Sequence, residues 1–143
     1  MTTQSPIHSK PPLAEHFGLE PHPEGGWYGR TWTAPNTVET AGGTRPAATL
    51  ILFLLPAGEV SAWHRVSSTE FWIWNGLAPI TLELGGDGDA PVAGESHLLD
   101  ARMPQLEIPA GVWQRTRPSA ADALASCMVS PGFDFADFTL SGE

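Results

Sequence analysis

The sequence predicts an all-β fold, an antiparallel sandwich or barrel with one short helix near its start. Short apolar runs recur at close spacing, and none has the 3.6-residue period of an amphipathic helix. Fourteen prolines and fifteen glycines separate them. Many short strands punctuated by Gly/Pro turns make two packed sheets or a barrel rather than a helical or α/β domain.

Taken in order, residues 1–12 are polar, end in Pro11-Pro12 and read as a flexible arm; 13–143 then form a single domain. LAEHFGL (13–19) suits a short helix stopped by Gly18. PHPEGGWYGRTWT turns on prolines and a Gly-Gly pair, then alternates as a strand with Tyr28, Arg30 and Trp32 on one face. APNTVETAGGTRP reads as a loop. AATLILFLLPAG is a continuous apolar run too short for a helix, so a buried strand is expected. VSAWHRV, TEFWIW, ITLEL, SHLLDA, QLEIPA, VWQRTR and ALASCMV follow as further strands.

Sixteen acidic against seven basic residues give a net charge of −9, which disfavours nucleic acid and anionic membranes as partners. The single cysteine, Cys127, excludes an internal disulfide and suits a reducing compartment. Without an apolar leader or a spanning stretch, the expectation is a cytoplasmic protein. GDGD at 86–89 lacks the spacing of a calcium loop and reads as a solvated turn. Cys127, in an apolar strand, reads as an inert thiol.

The chemistry concentrates in GEVSAWHRVSSTEFWIWNG. A tight turn at RVSST would set His64 and Glu70 opposite each other on adjacent strands. Alternation places His64 with Val66, and Glu70 with Trp72 and Trp74, on the inner wall. A buried imidazole beside a carboxylate is a satisfied ion pair, an acid/base pair or part of a metal site. In EIPAGVWQRTR, Gln114 shares a face with Val112 and Thr116, where it orients a ligand or bonds the backbone. Trp63 and Trp113 point the other way. Arg30 suits a carboxylate or phosphate ligand, or a salt bridge between subunits. His22 and Glu24 read as parts of a turn. SPGFDFADF reads as a capping segment whose aromatics dock and whose carboxylates cap.

These residues carry a family resemblance. Gly58, His64 and Glu70 look like the first cupin motif, and PAGVWQ like the second. PHPEGGWYGRTW, FLLPAGEVSAWHRV, EFWIW, PAGVWQ and SPGFDFADF together resemble the fifth cupin family, over Leu13 to Leu140. The resemblance implies a double-stranded β-helix, the RmlC-like jelly-roll barrel, and a homodimer. It implies a metal set of three histidines and a glutamate in general cupins, of which His64 and Glu70 match while Val66 and Gln114 stand at the other two places. Where members of the fifth family carry a further histidine after the glutamate, Ile73 or a neighbour stands here. The expected function is non-redox acid/base chemistry on a sugar-like, carbonyl or carboxylate metabolite: isomerisation, epimerisation, cyclisation or a lyase step. In it His64 is the base, Glu70 its partner and Tyr28 an acid. Gln114, Arg30, Trp72, Trp74 and Val66 line the substrate, and no cofactor is needed. The alternatives are a metal-dependent enzyme at a reduced His64/Glu70/Gln114 site and a small-molecule binding protein without turnover.

Overall fold

The computed structural model describes residues 9–142; the expected arm's residues 1–8 lie outside them. Helix α1 (Pro12–Phe17) starts with proline in its first turn, where the missing N–H costs nothing. It ends at Gly18, left-handed at φ 68°, whose N–H caps the last carbonyls.

Thirteen strands follow: β1 (Glu20–Pro21), β2 (Trp27–Thr33), β3 (Thr37–Thr40), β4 (Gly43–Pro46), β5 (Thr49–Leu55), β6 (His64–Val66), β7 (Thr69–Leu77), β8 (Ile80–Leu84), β9 (Ser96–Leu99), β10 (Gln105–Ile108), β11 (Gln114–Thr116), β12 (Ala123–Ser130) and β13 (Phe138–Leu140). One antiparallel sheet has the order β1-β2-β5-β12-β7-β10, and the other β13-β6-β11-β8-β9. Strands far apart in sequence pair side by side, the jelly-roll arrangement the sequence predicts.

The main core lies between the sheets. Phe53, Leu55, Trp72 and Ile108 from the larger sheet are packed with Ile80, Leu82 and Leu99 from the smaller, all almost fully buried. Each such side chain contributes roughly 1.5–3 kcal/mol relative to exposure. A second cluster of Ala14, Leu19 and Leu54 seats α1 on the outside of the larger sheet. Strand β5 is therefore covered on both faces, which explains its unbroken apolar run.

Two expectations change. The stretch read as a loop, APNTVETAGGTRP, contains the hairpin β3–β4. Strand β3 is mostly exposed and neither strand has apolar alternation, so periodicity gave no signal. The second change concerns His64 and Glu70. Strand β6 pairs with β11 and β13 in the smaller sheet, whereas β7 lies between β12 and β10 in the larger. Ser67 and Ser68 carry the chain from one sheet to the other, so the two residues are not hairpin neighbours. They face one cavity from opposite walls.

Candidate active site

The cavity lies between the sheets and holds about 270 Å³. That is near the lower edge of the roughly 300–1,000 Å³ usual for small-molecule sites. His64, Val66, Glu70, Trp72, Tyr28 and Arg30 all line it. Trp74 and Gln114 do not. Trp74 packs on the core and donates its indole N–H to the Ala78 carbonyl at 2.9 Å. Trp32, expected beside Arg30, follows a register shift in β2 and stands half exposed.

Gln114 is completely buried behind Glu70. Its Oε1 accepts the Trp72 Nε1–H at 2.8 Å, which fixes the amide's orientation and turns Nε2 to Glu70 Oε1, also at 2.8 Å. Both ends of the amide are thus engaged within the protein, so Gln114 positions Glu70 instead of touching a ligand. The Cys127 thiol is a second hydrogen-bond partner of Glu70. Burial raises the Glu70 pKa from its ordinary 4.5 to about 7, opposed by the hydrogen bonds from Gln114 and Cys127. Cys127 itself is pushed well up by burial and by the neighbouring carboxyls, Glu70 first, consistent with an inert thiol.

Glu24 has the opposite surroundings. Its Oε1 lies 3.2 Å from His64 Nε2 and 3.4 Å from His22 Nδ1. Backbone groups settle which ring nitrogens carry protons. The Ala62 carbonyl can only accept, so His64 Nδ1, 2.7 Å away, carries hydrogen. The Glu24 backbone N–H can only donate, at 3.1 Å, so His22 Nδ1 is bare. Burial holds both imidazoles at a pKa of about 4, His22 also feeling His64, so both are neutral near neutral pH. The His22 lone pair is taken by the Glu24 backbone N–H, whereas the His64 Nε2 lone pair faces Glu24 Oε1, which must hold a proton to bond it. Burial, then proximity to Glu70, also drives the Glu24 pKa well above its ordinary value.

The backbone that builds this arrangement is tight. Gly25, at φ 109°, passes so close to Val60 that a β-carbon would lie 2.3 Å from the Val60 carbonyl oxygen. That approach lets Ala62 N–H donate to the Glu24 carbonyl at 2.7 Å. The turn carrying Glu24 and the segment that orients His64 are thus one unit. At the mouth, Arg30 Nη2 donates to the Phe133 carbonyl at 2.9 Å. Phe133, Phe135 and Phe138 close that side, their rings crossing pairwise at 70–85°. Asp134 caps the short 3-10 turn at Phe135–Asp137, accepting from Ala136 N–H, and takes no part in the cavity wall.

The sequence profile described as Cupin_5, Cupin superfamily (DUF985), matches residues 12–141. The chain belongs to this cupin family. Two solved structures are 30% identical to it: a hypothetical protein from Leishmania major (TM-score 0.78, covering 89% of this chain and 84% of that one) and protein SO0799 from Shewanella oneidensis (0.76, 90% and 81%). The capsular polysaccharide assembling protein CapF from Staphylococcus aureus shares the fold alone, at 11% identity and a TM-score of 0.64 over 86% of this chain and 32% of that one. No curated protein matches the sequence.

A general cupin metal set does not fit this cupin's residues as they are arranged. Val66 offers no donor, Gln114 is spent on Glu70 and Trp72, and His64 Nε2 addresses Glu24. Among the described residues, no group of three or more His, Cys, Asp or Glu side chains is placed to hold a metal ion. In the weaker His64/Glu70/Gln114 set, Gln114 and His64 are likewise turned to protein partners.

The residues that the sequence reading undervalued are His22 and Glu24. Their signal is the Gly-Gly pair itself. Two consecutive glycines after a Pro-His-Pro-Glu stretch mark a backbone that must pass close to another segment, and Gly26 would likewise strike Phe53 with a side chain.

Proposed function

We propose that this cupin is a non-redox acid/base enzyme that moves a proton on a small carbonyl or carboxylate metabolite, in an isomerisation, epimerisation or elimination. One observation supports the reading above all: two buried carboxyls share a cavity in opposite hydrogen-bond surroundings. Glu70 sits among donors and ionises near neutrality, as a general base should. Glu24 sits among acceptors and keeps its proton, as a general acid should. Glu70 takes a proton from substrate carbon, and the electron pair moves toward the adjacent oxygen. Glu24 gives that oxygen its proton. His64 holds the acid in place through Nε2, so its role is positioning the acid, in place of the base expected from sequence. Tyr28, from β2 on the wall that carries Glu70, hydrogen-bonds the substrate in this reading.

Deuterium incorporation tests this. Candidate metabolites are incubated with the protein in heavy water, and exchange at carbon is followed by NMR. Exchange by the native protein should fall by about 10²–10⁴ in Glu70→Gln. A metabolite that binds but never exchanges would make the protein a binding module instead.

A further inference from the structure

We propose that the cavity takes a small zwitterion, with an onium centre against the aromatic wall and the buried carboxyls, and a carboxylate at the mouth on Arg30. This rests on the same cavity being the working site, and it names the ligand's chemical class.

The deep end presents two carboxyls, Glu24 and Glu70, and the described residues lining it offer no fixed cation there. Backbone groups fix the tautomer of each imidazole, and burial keeps both neutral near neutral pH. An anionic group would therefore meet only acids, whereas a cation would meet Glu70, which can ionise toward it, and the carbonyl side of Glu24. The remaining wall is aromatic. Phe133, Phe135 and Phe138 cross pairwise at 70–85°, so their planes form the corner of a box. Tyr28 extends it, stacked edge to face on His22 at 4.6 Å. Ring faces joined to carboxyls are how proteins hold quaternary ammonium groups.

A sugar fits less well. Hydroxyl-rich ligands call for several amide and hydroxyl partners, yet the described lining contains no Asn, Gln, Ser or Lys and one free hydroxyl residue, Tyr28. Its one threonine, Thr49, already accepts from Phe133 N–H at 3.0 Å. The cationic handle is Arg30 alone. One guanidinium nitrogen is anchored on the Phe133 carbonyl, the side chain is otherwise exposed, and it sits where the cavity opens. A carboxylate there would be bound by a charge-assisted hydrogen bond.

Calorimetry with glycine betaine and with tert-butylacetate decides the matter. The two have one shape, with a quaternary nitrogen in the first and a quaternary carbon in the second. Betaine should bind at least about tenfold more tightly. Phe135→Leu, at a half-exposed position, should remove most of that preference. Arg30→Gln should weaken both compounds alike. Equal or tighter binding of tert-butylacetate overturns the proposal, and so does binding of neither. Selective betaine binding without proton exchange on any onium carboxylate would keep the ligand class and discard the catalytic reading. Exchange on neutral carbonyl compounds with no betaine preference would do the reverse.

Discussion

The two faces of the β6–β11 pair are built from alternate residues of the same strands and behave as different materials. Inside, His64 and Gln114 stand opposite each other in register, nearly or fully buried, with their polar atoms matched to named partners. Outside, Arg65 lies 4.5 Å from the Trp113 ring centre and Arg115 lies 4.5 Å from that of Trp63, with a carboxylate partner at Glu83. The inner groups have exchanged water for one fixed geometry. The outer charges keep water as an alternative partner. Losing a partner should therefore cost much more on the inner face.

The largest effect should come from Gln114→Leu. It leaves the buried Trp72 N–H without a partner and Glu70 with the Cys127 thiol alone, at a cost of about 2–4 kcal/mol in urea unfolding. A loss below about 1 kcal/mol would mean that water replaces the amide and that the inner face is not sealed.

The pH dependence of stability should separate the faces almost as strongly. Glu70 ionises at about 7 in the folded chain against 4.5 when unfolded. The folded state thus binds the extra proton between these values, and stability falls as pH rises through them, by about 3 kcal/mol. His22 and His64, held at about 4, act oppositely: their contribution is present above 6.5 and lost as pH falls toward 4. In the native protein the raised carboxyls and the lowered imidazoles pull in opposite directions. Glu70→Gln removes one of them, so its stability relative to the native protein should climb by about 3 kcal/mol as pH is raised from 4.5 past 7. Parallel profiles would show that Glu70 is already solvated.

On the outer face, Arg115→Gln should change stability by less than about 1 kcal/mol, and added salt should shrink the difference. A larger, salt-independent loss would erase the contrast.

Strand parity made much of this legible. It assigned Trp63 and Trp113 to the side away from His64 and Gln114, and it placed Glu70 with Trp72. The order of strands in sheets was beyond it, because Ser67-Ser68 reads as a hairpin turn whether the chain reverses within one sheet or crosses to the other. Gln114's role was hidden for a related reason. A strand pattern gives the face, but only the Trp72 indole on the opposite sheet shows which end of the amide is taken. Glu24 escaped because it sits in a turn, where periodicity is silent, and its function depends on an approach that only the glycine at 25 permits.

The central claim is that Glu24 carries a proton while Glu70 supplies the base. Infrared difference spectra between the native protein and each Glu→Gln variant, taken well above the Glu70 value of about 7, test it most directly. The native spectrum should show the C=O stretch of a buried protonated carboxyl, which Glu24→Gln removes and Glu70→Gln leaves. A band that survives Glu24→Gln and vanishes in Glu70→Gln would reverse the assignment, and no band at all would contradict it.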